Sequence, residues 1–224
     1  MNSQPRNQLQ PGLIRGGRLP LAGGLLILVG SLAPSAAGAF SFGPPDGYAG
    51  QPPDLVDCTT CHYENPLNGG DGTLELIGLP ATYTPGASYS LTVRLADPGQ
   101  KRWGFEMTVL DDADDQSQGG QLAVTDPVKT QLSEDPYGSV DFLKHTSDGT
   151  FIGVSGGPVE WNLAWTAPNV AAGSVTFYLA GNAADNDESY TGDWIYAVTR
   201  TIEADAPTAT EMSSWGRVKH LYAR

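Results

Sequence analysis

Ser88-Tyr89-Ser90-Leu91-Thr92-Val93-Arg94-Leu95-Ala96 decides the fold class. Tyr89, Leu91, Val93 and Leu95 fall on one side of an extended chain, and Ser90, Thr92 and Arg94 on the other, the period-two pattern of a half-buried strand. Asp97-Pro98-Gly99-Gln100 then breaks the run as a turn. Val159–Thr166 repeats the pattern with Val159, Trp161, Leu163 and Trp165. Working outward, strands are expected at 73–79, 103–110, 121–125, 139–145, 174–180 and 194–202. Trp103, Phe105, Met107 and Val109 are expected to share one face of the third strand. Residues 83–86 read as a turn and 111–120 as an acidic loop. Seven to eight short strands with no helix between them predict an all-β fold. The spacing points to an immunoglobulin-like antiparallel β-sandwich rather than a closed barrel.

Composition agrees. The 28 Gly and 17 Pro, about a fifth of the 224 residues, favour turns over helical bundles. The chain carries 12 Lys+Arg against 25 Asp+Glu, a net charge of −13 that excludes a nucleic-acid partner or an anionic membrane surface.

Residues 1–39 read as a secretory signal peptide. Arg6, Arg15 and Arg18 precede a short apolar run from Leu19 to Ala33, and Ala36-Ala37-Gly38-Ala39 supplies a small-residue cleavage pattern. Pro20, Gly23, Gly24 and Gly30 interrupt the run, which is short for a membrane span of ~20 residues. Cleavage after Ala39 removes three arginines and no acid, taking the charge from −13 to −16. The mature chain is expected outside the cytoplasm, periplasmic or at the cell surface, with no integral span. Residues 40–72 form an irregular Pro/Gly-rich segment, 73–204 the sandwich, and 205–224 a linker and tail. Within the tail, Met212, Trp215, Val218, Leu221 and Tyr222 predict a short C-terminal helix.

The chemistry sits in Cys58-Thr59-Thr60-Cys61-His62, which contains both cysteines of the chain. This is the C-x-x-C-H haem-attachment pattern. Two thiols three residues apart reach both vinyl groups of one haem, and the following histidine supplies an axial nitrogen. Two randomly placed cysteines would show this spacing, followed by a histidine, roughly once in 10,000. A disulfide, a thioredoxin-like redox pair and a zinc site are the competing readings. The redox pair lacks its strand–helix context, and zinc lacks nearby ligands. The expected cofactor is one covalent haem c, held by Cys58 and Cys61 and ligated by His62. His145 is the expected second iron ligand, because it ends a strand where a loop reaches over the haem; Met107 and His220 stand behind it. Met107 reads first as core. The acidic stretches 111–115 and 185–188 read as solvated turns able to steer a basic redox partner, with calcium as the other reading.

Several stretches together resemble a known family: Cys58–His62, Asn68-Gly69-Gly70-Asp71-Gly72, 78–86, 97–105, His145-Thr146-Ser147, Trp165-Thr166-Ala167-Pro168, 175–182 and Gly192-Asp193-Trp194-Ile195-Tyr196. The chain is similar to exported bacterial domains with a reeler-like β-sandwich, the choice-of-anchor V type, over most of its mature length. The resemblance implies an immunoglobulin-like sandwich and adds support to His145 through the His-Thr-Ser element. Such domains often end in an anchoring segment; the ending Trp215–Arg224 has no apolar tail, so C-terminal anchoring is not expected.

Together these features predict an exported monohaem c-type cytochrome doing one-electron transfer. Its expected partner is a redox protein, either another cytochrome or a membrane-bound respiratory or photosynthetic complex. The alternatives are a surface, adhesion or complex-assembly module with a structural haem, and a haem sensor or peroxidase-like enzyme with an open sixth site. No nucleophile–base arrangement or phosphate loop points to a hydrolase or transferase.

Overall fold

The alternating runs pair into two facing sheets. In the computed structural model, residues 40–133, 140–170 and 173–205 are described. The expected signal peptide, the expected tail helix with Met212 and His220, and Ser139 lie outside them. The described residues hold eleven strands: β1 (Thr73–Ile77), β2 (Thr82–Tyr83), β3 (Ser88–Ala96), β4 (Arg102–Asp111), β5 (Asp114–Gln118), β6 (Gln121–Val124), β7 (Thr130–Ser133), β8 (Phe142–His145), β9 (Val159–Thr166), β10 (Ser174–Ala184) and β11 (Trp194–Ala204). One sheet has the order β1-β3-β9-β6. The other runs β2-β11-β10-β4-β8-β7, with β5 paired to β4. Every pairing is antiparallel except β11 with β2. The chain is a β-sandwich.

The alternation in β3 and β9 carries the core. Tyr89, Leu91, Val93 and Leu95 stand opposite Trp165, Leu163, Trp161 and Val159. All but the half-buried Tyr89 are buried in one cluster with Phe105, Met107, Val109, Phe177 and Leu179 of the facing sheet. Trp165 meets Tyr83 and Phe177 edge-on at 5.7 and 5.0 Å and stacks on Tyr89 at 5.5 Å. Three buried indoles donate to loop carbonyls: Trp103 to Val154, Trp161 to Gly149 and Trp165 to Gly119, at 2.8–2.9 Å. Each indole thereby pins a loop without leaving a polar atom unpaired.

Three expectations change. Residues 111–120 are not a loop: β5 folds back on β4 as a hairpin with a register shift at Leu110/Asp111. Its Asp-Asp-Gln-Ser-Gln sequence shows no apolar alternation because β5 is exposed on both faces through most of its length. Tyr83 belongs to β2 rather than to the turn, which begins at Thr84. The strand count rises above seven to eight because the short β2, β5 and β7 carry too few core residues to register as alternation.

Strand β4 is buried on both faces. Trp103, Phe105, Met107 and Val109 enter the core as expected, but Gly104, Glu106 and Thr108 are buried as well. The irregular segment 40–72 is the cover. Tyr48 N–H donates to Glu106 Oε2 at 2.6 Å, and Lys144 Nζ bonds Asp46 Oδ1 and Pro44 O at 2.6 and 2.7 Å. Further along, Asn68 exchanges bonds with Ile195 and Ala197 of β11. Gly72 N–H donates to Tyr196 Oη at 2.9 Å, and that hydroxyl donates to Asp97 Oδ2 at 2.5 Å. Gly70 and Gly72 must lack side chains: a Cβ on either would collide with the Tyr196 hydroxyl.

Candidate functional site

The turn that presents the cysteines is built locally. Asp57 Oδ1 accepts from Thr59 N–H at 2.7 Å and from the Thr59 hydroxyl at 2.5 Å, capping the 3₁₀ turn Cys58–Thr60. His62 N–H then donates to Cys58 O at 3.0 Å, winding the histidine back over the first cysteine. Both thiols are free. The Cys58 thiol lies 3.9 Å from Tyr48 O. Burial, followed by the Glu106 charge, pushes its pKa well above the ordinary thiol value.

His62 is oriented by Asp193, the residue just before β11. Its Nδ1 lies 2.6 Å from Asp193 Oδ2, with the histidine side chain 14% and the aspartate 1% exposed. A carboxylate accepts only, so Nδ1 carries the proton and the lone pair sits on Nε2, the atom an iron needs. The Asn182 amide lies 3.3–3.4 Å from both ring nitrogens.

His145 closes β8 and is 7% exposed. Burial pushes its pKa down to about 4, so the ring is neutral near pH 7. Nδ1 accepts from Phe105 N–H at 3.0 Å in one tautomer and donates to Phe105 O at 3.2 Å in the other. The second tautomer puts the lone pair on Nε2, and the Phe40 backbone also bonds the ring. The ring rests on Gly104, where a Cβ would come within 2.7 Å of Cε1.

These groups converge. An open-mouthed void is lined by Cys58, Cys61, His62 and His145, together with Phe40, Pro44 and Tyr48. Mostly apolar walls carrying two thiols and two imidazoles suit a haem, which needs thioether partners, axial nitrogens and a largely dry surface for its ring. Asp187 and Glu188 stand at the rim.

Other candidates fall elsewhere. Met107 is fully buried in the core and does not line the void. His220 lies outside the described residues. Among the described residues, no group of three or more His, Cys, Asp and Glu is placed to hold a metal ion by itself. Sequence reasoning missed Asp193 as the partner of His62, and Gly104 and Glu106 behind the site. Asp193 sits in a Gly-Asp-Trp run whose spacing says nothing of a histidine 131 positions away.

No family model and no curated protein matches the chain. Solved structures with a similar chain trace include the human F-spondin reeler domain, at 20% identity over 63% of this chain and 95% of that one, with a TM-score of 0.42. A cohesin module from the Clostridium perfringens family 33 glycoside hydrolase is 8% identical over 61% and 96%, at 0.41. The bacterial hydrophobin BslA is 12% identical over 64% and 100%, at 0.34. The likeness is one of architecture. Among the described residues, no helix is long and apolar enough to cross a membrane.

Proposed function

We propose that this chain is an exported monohaem c-type cytochrome that carries single electrons on a reeler-like β-sandwich. One observation carries the reading: His145, remote in sequence, lines the same void as Cys58, Cys61 and His62. Cys58 and Cys61 would hold a haem through two thioethers, their S–H groups having added across its two vinyl groups. His62, oriented by Asp193, and His145 would supply nitrogens to its iron. When bound, the haem supplies an iron that alternates between ferrous and ferric states. A filled sixth position would disfavour small ligands. The acidic rim and a charge of −13 suit a partner with a basic face.

The test is expression in a haem-attaching host. The expected result is a haem-staining band on a denaturing gel and a c-type pyridine haemochrome. Colourless, correctly processed protein refutes the reading. His145→Ala is then expected to open the sixth position, so that the reduced variant binds carbon monoxide and the parent does not. Unchanged absorption bands remove His145 as ligand, and carbon monoxide binding by the parent points to the open-site sensor or peroxidase instead.

A further inference from the structure

Glu106 is a buried acid that the proposed haem ligation does not use. It lies on the covered face of β4, fully buried. Its Oε2 accepts from Tyr48 N–H at 2.6 Å and the Gly47 backbone also bonds the carboxylate, while Oε1 is buried without a partner. Lys144 stands opposite it in the β4–β8 ladder, but that ammonium is already engaged by Asp46 Oδ1 and Pro44 O. The pair presents both signs to Glu106, and their effects oppose each other. From β10 the opposite position is Ala180, which brings no charge. Burial therefore dominates and pushes the Glu106 pKa up to about 8.

The place of this acid gives it a use. Tyr48, whose N–H holds Glu106, also lines the void, and its carbonyl takes the Cys58 thiol. Cys58 feels the Glu106 charge more strongly than that of Asp57. Glu106 thus stands directly behind the wall to which the haem would be tethered. A unit change of charge in that cavity acts on it through protein rather than water.

We propose that Glu106 is a redox-linked proton site: its carboxylate takes up a proton from solvent when the neighbouring haem is reduced and returns it on oxidation. The inference rests on the haem reading above. Ferric haem, carboxylate, one electron and one proton become ferrous haem and carboxylic acid. Only an O–H bond forms, and the electron comes from a one-electron donor protein or, in vitro, a mediated electrode. The extra positive charge of the ferric state favours the carboxylate, and its loss favours the acid. Protonation also lessens the cost of the unpaired Oε1.

The experiment is spectroelectrochemistry of the haem-loaded protein from about pH 6 to about pH 10, on either side of the pH near which Glu106 titrates. The expected midpoint potential falls as pH rises, with a slope approaching 59 mV per tenfold change in proton activity for one electron. Glu106→Gln is expected to flatten that slope. A flat wild-type profile, or a slope unchanged in Glu106→Gln, overturns the inference. Where that variant does not fold, the reduced-minus-oxidised infrared spectrum of the wild type decides: a protonated-carboxyl band in the reduced state is expected, and its absence overturns the inference. A pyridine haemochrome taken first separates the failures. Missing haem sinks both readings; bound haem with a flat profile sinks this one alone.

Discussion

Gly104→Ala tests how His145 is seated. A Cβ at this position falls 2.7 Å from His145 Cε1, 3.1 Å from Nδ1 and 3.3 Å from Nε2, so the methyl lands on the ring itself. The preferred carbon–carbon separation is about 3.5–4.0 Å, and the imidazole must retreat by about 1 Å. That retreat breaks its 3.0 Å bond to Phe105 N–H, or the alternative one to Phe105 O. Forced overpacking costs about 1–3 kcal/mol and the lost bond about 1 kcal/mol. Replacing a strand glycine by alanine returns about 0.5–1 kcal/mol. The expected net loss is about 2 kcal/mol, a ~30-fold shift in the folding equilibrium. Urea unfolding should show a lower midpoint with an unchanged slope. In the haem-loaded protein, the displaced ring should also leave a fraction of the sixth position open to carbon monoxide. A variant with parental midpoint and parental spectra would refute this account of His145.

Two further outcomes follow from the same site. Asp193→Asn replaces the charged acceptor 2.6 Å from His62 Nδ1 by a neutral amide. A weaker pull on the ring proton makes Nε2 a poorer donor to ferric iron, so the midpoint potential should rise by about 59 mV, one tenfold change; an unmoved potential refutes the orienting role. Glu106 also sets a pH dependence of folding. Its folded pKa, about 8, lies above the ordinary 4.5, so the folded chain binds the extra proton between those values. This contribution is complete below about pH 4.5 and is lost as pH rises through about 8, by at most about 1.4 kcal/mol per pH unit. Chemical denaturation of the wild type and Glu106→Gln should therefore diverge as pH rises across that window, the wild type losing stability while the variant, which has no proton to lose, does not; parallel profiles refute it.

Much of the sandwich was legible because its central strands face water on one side. Ser88–Ala96 and Val159–Thr166 match the observed β3 and β9 residue for residue. The hidden strands are those whose neighbours decide their burial. The Asp- and Gln-rich β5 pairs along an exposed edge, and nothing in its composition distinguishes it from a loop. The second buried face of β4 was equally unreadable, since Gly104, Glu106 and Thr108 look like a solvent face until the segment 40–57 lies over them.

The residues themselves determined the class of fold and the candidate chemistry, because strand alternation and the Cys58–His62 spacing are local and repeat within a few positions. Tertiary structure alone decided which distant groups meet: Asp193 with His62, Gly104 beneath His145, Glu106 behind Tyr48. Such partners are set by strand order and register across the sheets, and a single acid or glycine in a turn or strand carries no periodic trace of the neighbour it will find.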